Sequence, residues 1–149
     1  MGRRRQAREL ALQTLYLAET GRMSVSEAML IVRAGAKLDE KSESFARELA
    51  EKTADHRKAL DAYIQKIAKN WELGRMAAVD RNLLRMASYE LLNCPETPVS
   101  VVIDEALEIA KKFSSQDSSK FVNGILDKIK AHRPADGRPP PKARTRIER

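Results

Sequence analysis

The chain has little of what staples or interrupts a fold. Its 149 residues include one cysteine, Cys94, which excludes an internal disulfide and fits a reducing compartment. There are six glycines and six prolines, and three of the prolines form the run Pro139–Pro141. The first 133 residues are therefore poor in helix breakers and rich in Ala, Leu, Glu, Lys and Arg, a helix-forming composition. No apolar stretch approaches the roughly 18–20 residues that cross a bilayer. The Arg-rich start lacks a following apolar segment, and Glu9 and Glu19 interrupt it, so no targeting signal is expected and the cytoplasm is the default location.

Catalytic raw material is equally scarce. His56 and His132 lie far apart, and neither has a neighbour at a metal-ligand spacing. The glycines form neither a phosphate loop nor a dinucleotide fingerprint. A lone thiol such as Cys94 is more often inert than nucleophilic. Asp104, Glu105 and Glu108 cluster, but they read as the solvated side of a helix, with Glu108 placed four before Lys112. No catalytic residue, cofactor or metal is expected, and an RNA-processing enzyme is the remote alternative.

What is present is charge of one sign at the two ends. The net charge is +7. Residues 1–8 hold Arg3, Arg4, Arg5 and Arg8 without an acid, and residues 134–149 hold five basic side chains against Asp136 and Glu148. Residues 9–133 carry 19 basic and 19 acidic side chains and are neutral. Localised positive charge points to an anionic partner, most commonly a phosphate backbone.

Helical spacing recurs along the chain and strand alternation is almost absent. Helices are predicted over about 4–19, 24–34, 42–70, 80–93, 98–113 and 118–131, with a break at Trp71–Gly74 and a short turn near 75–78. The long third helix shows a single inward stripe of Phe45, Leu49, Thr53, His56, Leu60, Tyr63 and Ile67. The natural division falls after Asn70, giving halves 1–70 and 71–133, and the tail 134–149 reads as disordered.

Three constellations suggest binding. Arg4 and Arg8 lie one helical turn apart, and the planar arginine fork suits phosphate oxygens; the alternative is a solubilising terminus. In the last helix Phe121 falls on the flank of the buried face, where it either packs on the core edge or offers its face to an unstacked base. Lys112, Asp117, Ser118, Lys120 and Asn123 lie nearby, and Gly124 implies close approach of another helix or a ligand. On the Asp80 helix, Arg81, Arg85, Tyr89 and Leu92 oppose the inward leucines, forming either a protein interface or an internal seam.

These residues resemble the NusB family. The opening Arg3-Arg4-Arg5-Gln6-Ala7-Arg8-Glu9-Leu10-Ala11-Leu12-Gln13-Thr14-Leu15-Tyr16 is similar to the family's start. Asp80-Arg81-Asn82-Leu83-Leu84-Arg85-Met86-Ala87 with Tyr89-Glu90-Leu91 resembles its central helix. Pro98 to Ala106, Ala110-Lys111-Lys112-Phe113 and Asp117 to Asp127 resemble its C-terminal signature. The resemblance implies an all-α fold of two small helical bundles packed together. It implies a non-enzymatic transcription antitermination factor that binds boxA RNA in ribosomal RNA leaders. It also implies two protein partners: NusE, a small-subunit ribosomal protein, and the RNA polymerase antitermination complex. RNA contacts would map to Arg3, Arg4, Arg5, Arg8, Asp117, Ser118, Lys120, Phe121 and Asn123, with Lys112 added from its position. Partner contacts would map to Asp80, Arg81, Arg85 and Tyr89. A homodimer stays open, because some family members self-associate through the surface that would bind RNA.

Overall fold

A computed structural model describes residues 2–133. Those residues form seven α-helices: α1 Gly2–Thr20, α2 Val25–Arg33, α3 Glu40–Asp55, α4 Arg57–Ile67, α5 Ala78–Asn93, α6 Val99–Phe113 and α7 Gln116–Lys130, with one 3-10 turn at Leu73–Arg75. No strand occurs among the described residues. The chain divides into two compact units, one ending at Asp55 and the other beginning at His56. The expected basic tail, 134–149, lies outside the described residues.

In the first unit α1 packs on α2 and α3, and α2 on α3. Ala7, Leu10, Ala11, Thr14 and Leu15 are buried along α1, opposite Ala28 and Met29 of α2 and Ala46, Leu49 and Ala50 of α3. Small residues a turn apart let the helices approach closely. Thr14 satisfies its buried hydroxyl by donating to the Leu10 carbonyl at 2.8 Å. The α1–α2 turn is closed by local chemistry. Arg22 adopts φ 53° after Gly21, and Met23 N–H bonds back to Ala18 O at 3.0 Å, the six-to-one bond of a left-handed helix end. Ser24 and Glu27 then form a reciprocal capping box at the start of α2.

The second unit is built around α5, which packs on α4, α6 and α7. Eleven of its sixteen residues are buried, the profile of a helix surrounded by neighbours rather than one with a wet face. Leu83, Leu84, Met86 and Leu91 meet Val102, Ile109, Val122, Leu126 and Ile129 in this core, all nearly fully buried. Leu60 and Leu92 form a second apolar cluster, with Tyr63 and Tyr89 packed against it.

The predicted helix 42–70 is two helices. Neither Gly nor Pro marks the break at His56, which has φ −103° and ψ 16°. The cause is tertiary: α3 buries its side chains within the first unit and α4 against α5 and α7 in the second, so one straight stripe cannot serve both. The division accordingly falls between residues 55 and 56, earlier than the spacing suggests. The expected solvated carboxylate face of α6 also needs correction, because Glu105 is 5% exposed. Glu108 pairs with Lys111 at 3.2 Å.

Candidate nucleic-acid interface

Four arginines in the first two turns of α1 oppose the helix dipole, each at a cost of about 0.3–1 kcal/mol. The first unit supplies compensation from α3 and the residue preceding it. The Arg4 guanidinium lies 4.0 Å from the Phe45 ring centre, and that of Arg8 lies 5.5 Å from the same ring, so both are held as cation–π partners. Arg3 faces Asp39 at 3.7 Å. Hydrogen bonds from the Ser42 hydroxyl and N–H, and after them the Arg3 charge, hold the Asp39 carboxyl below its usual range. Arg3 and Arg4 remain exposed and Arg5 is half-buried. Arg8 is 4% exposed, which corrects the expectation that it shares a phosphate run with Arg4: its guanidinium is used inside the unit. Leu12 is buried as well, whereas Tyr16 is exposed.

In the second unit the start of α7 is fixed to α5 through a chain of hydroxyls. Ser115 caps α7 by accepting from Ser118 N–H at 3.0 Å. Ser118 donates its hydroxyl to Asp80 Oδ2 at 3.0 Å. The other Asp80 oxygen is buried without a hydrogen-bond partner among the described residues, in a side chain that is 8% exposed. Such an acceptor is costly to leave unsatisfied. The residue Asp80 lines a cleft of about 600 Å³ shared with Arg75, Asp117, Ser118, Trp71 and Phe121.

Phe121 is half-exposed and stands edge-on to Trp71, their ring centres 4.9 Å apart and their planes at 69°. Of the two options for Phe121, the structure therefore gives neither pure core nor isolated ring, but one half of an aromatic pair at the surface. Trp71 is 56% exposed, and sequence reasoning missed it. The available signal was that the chain's one tryptophan stands between polar Asn70 and Glu72, outside any helical stripe. Lys120 lies beside the pair, and Asp117, Lys112 and Asn123 are exposed. Lys112 and Asn123 line neither this cleft nor the hollow on the other side of the pair. A Cβ on Gly124 would meet nothing within 4 Å, so no neighbouring helix approaches it and that reason for a glycine is removed.

The Asp80 helix departs most from expectation. Arg85 is 3% exposed and grips Asp61 with both ends of its fork, at 2.6 Å and 2.9 Å, while its third nitrogen donates to Asn82 at 3.1 Å. Arg81 donates to the Leu73 and Met76 carbonyls at 3.2 Å and 2.8 Å and so fixes the 3-10 turn under Trp71. Tyr89 is half-buried against the His56 ring at 5.6 Å, and Leu92 is 1% exposed. Of the two readings of this face, the structure thus gives the internal seam, between α4, α5 and the turn. Of the four candidate partner residues, Asp80 lines the cleft beside Trp71 and Phe121. Among the described residues no group of three or more His, Cys, Asp or Glu is placed to hold a metal, and no helix is long and apolar enough to cross a membrane.

An all-helical scaffold that carries exposed arginines on one unit and a surface aromatic pair beside a capped helix start on the other defines a nucleic-acid-binding class of protein. The chain belongs to the NusB family, whose sequence model matches residues 5–131. It is 49% identical over 137 residues to the transcription antitermination protein NusB of Elusimicrobium minutum, covering 89% of this chain and 96% of that one. The solved NusB of T. maritima superposes with a TM-score of 0.82 at 35% identity, covering 90% of this chain and 95% of that one. A NusB solved with NusE and double-stranded RNA superposes with a TM-score of 0.80 at 26% identity, covering 88% and 98%.

Proposed function

We propose that this chain is a non-enzymatic RNA-binding transcription antitermination factor that takes boxA-type leader RNA together with the ribosomal protein NusE. The observation that carries this reading is Phe121, held half-exposed by the edge contact with Trp71 and set beside Asp117, Ser118 and Lys120 at the start of α7. A ring presented this way offers its face to an unstacked base. Arg3 and Arg4 supply phosphate contacts from the first unit, with Arg5 beside them, and Phe45 and Asp39 preset their positions. The family membership supports the antitermination role, and the solved relative bound to NusE and RNA supports the pairing of those two partners.

NusE is assigned to the cleft beside Asp80. Its lining carries Glu72, Asp80 and Asp117 against the single base Arg75, a negative balance that suits a basic protein partner. A partner bound there enlarges the surface offered to RNA, so each ligand tightens the other. The test is a titration of single-stranded boxA RNA and a scrambled strand, with and without NusE. Tighter binding of boxA, with a gap that widens on adding NusE, is the expected result; equal binding of both strands under both conditions returns the chain to a protein-interaction module.

A further inference from the structure

The Trp71–Phe121 pair is a ridge between two hollows of opposite character. On one side is the acid-lined cleft already described. On the other is a hollow of about 280 Å³ lined by Lys69, Lys120 and Lys128 with no acidic side chain, floored by Gly124 and walled by both aromatic rings. All three lysines are exposed, as is most of Trp71. The neighbouring acid Asp127 is engaged with Lys130 at 3.0 Å, away from the hollow.

We infer that the bound single-stranded RNA continues past Phe121 into this lysine-lined hollow, with the next base stacked on Trp71 and its phosphates held by Lys69 and Lys128. This rests on the RNA-binding reading above and extends it to three residues outside the site drawn from sequence. Three features select nucleic acid over a protein ligand. The hollow pairs exposed aromatic faces with a one-signed rim, which matches a strand whose bases and phosphates alternate. Its floor is a bare glycine on an exposed helix surface, with nothing within 4 Å of where a Cβ would stand, so a sugar can lie against the backbone. The rings are about perpendicular at 69°, so two successive bases that stack on them must splay, as bases do in single strands and not in an A-form duplex.

The test uses the full chain and single-stranded RNA of about twelve nucleotides, enough to pass one aromatic site, substituted with 5-iodouridine for photo-cross-linking. Trypsin separates the two rings, because Trp71 falls in the peptide 70–75 and Phe121 in the peptide 121–128. RNA attached to 70–75 as well as 121–128 is the expected result. Attachment to 121–128 alone overturns the inference and leaves the Phe121 reading standing; attachment to neither overturns both. In parallel, Trp71→Ala should weaken binding about 5- to 150-fold, the loss of one base–aromatic stack, and Trp71→Phe should restore most of it. The double change Lys69→Ala with Lys128→Ala should flatten the salt slope by about 1.4, two single-strand phosphate contacts. Unchanged affinity and slope in these variants, or a loss confined to NusE binding, overturns the inference.

Discussion

Gly124→Ala separates stability from binding in one substitution. Gly124 is the ninth residue of the fifteen-residue helix α7 and is exposed. A glycine in a helix interior costs about 1 kcal/mol relative to alanine, because the unfolded chain loses more freedom when it is ordered. The new methyl would meet nothing within 4 Å, so neither a packing gain nor a clash alters that figure. The variant should therefore be more stable by about 1 kcal/mol, which for a chain of this size is a rise in Tm of roughly 3–5 °C, read by thermal melting or by the midpoint of urea unfolding at unchanged m. The same methyl projects into the lysine-lined hollow and should weaken RNA binding. A fall in stability would refute the reasoning, since it would require a close neighbour at Gly124. A stabilised variant with full RNA affinity would mean that the strand does not cross the helix there.

Other consequences follow from particular contacts. Arg85→Ala should cost about 1.5–3 kcal/mol, measured by urea unfolding, since it removes two charged hydrogen bonds to the part-exposed Asp61 and leaves it with Arg57 at 3.7 Å; an unchanged stability would mean the pair is dispensable. Arg22→Gly should stabilise by about 0.5–1 kcal/mol, because φ 53° is strained for a residue with a Cβ and the relief exceeds the added unfolded-state entropy. Arg8→Ala should lower Tm through its buried stack on Phe45, whereas Arg3→Ala with Arg4→Ala should leave the fold cooperative and reduce the salt slope of RNA binding. Tyr63 is pushed up to about 12 from 10.0 by burial, so the unfolded chain ionises first. Its contribution is intact below pH 10 and is lost progressively as pH rises toward about 12. Tyr63→Phe should remove that alkaline loss, and because the hydroxyl is buried without a partner it should cost nothing at pH 7.

The parts of this fold that follow from local chemistry were legible in the sequence. Helical spacing and Pro98 located α6, and spacing found α7, although its start was placed at Ser118, two residues after the Gln116 that Ser115 caps, because periodicity acts over a few residues and does not fix an end. The break at His56 was not legible, since it arises from α3 and α4 burying against different helices and no residue there disfavours helix. The same cause hid the fate of Arg81 and Arg85. On a helix wheel they face away from the leucines, but α5 is covered on nearly every side, and Asp61 is 24 residues away along the chain. Gly124 pointed to a ligand or a helix and the structure removes the helix. Phe121 was found through its flank position beside polar neighbours, whereas Trp71 lay in the break between helices, where periodicity carries no information about which way a ring faces.

The charge count pointed to the chain's ends, yet the most specific surface lies in its neutral middle, at the Trp71–Phe121 ridge. We propose that this ridge, and separately the exposed arginines of α1, each contact single-stranded RNA, and that NusE strengthens the binding. It is tested most directly by measuring the affinity of the full chain for single-stranded boxA RNA, a scrambled strand and a duplex of the same sequence, each with and without NusE. The boxA strand should bind tightest, NusE should widen its lead, and Phe121→Ala should remove about 1–3 kcal/mol of it. Equal affinity for all three RNAs, with NusE present and Phe121 replaced without effect, would contradict it.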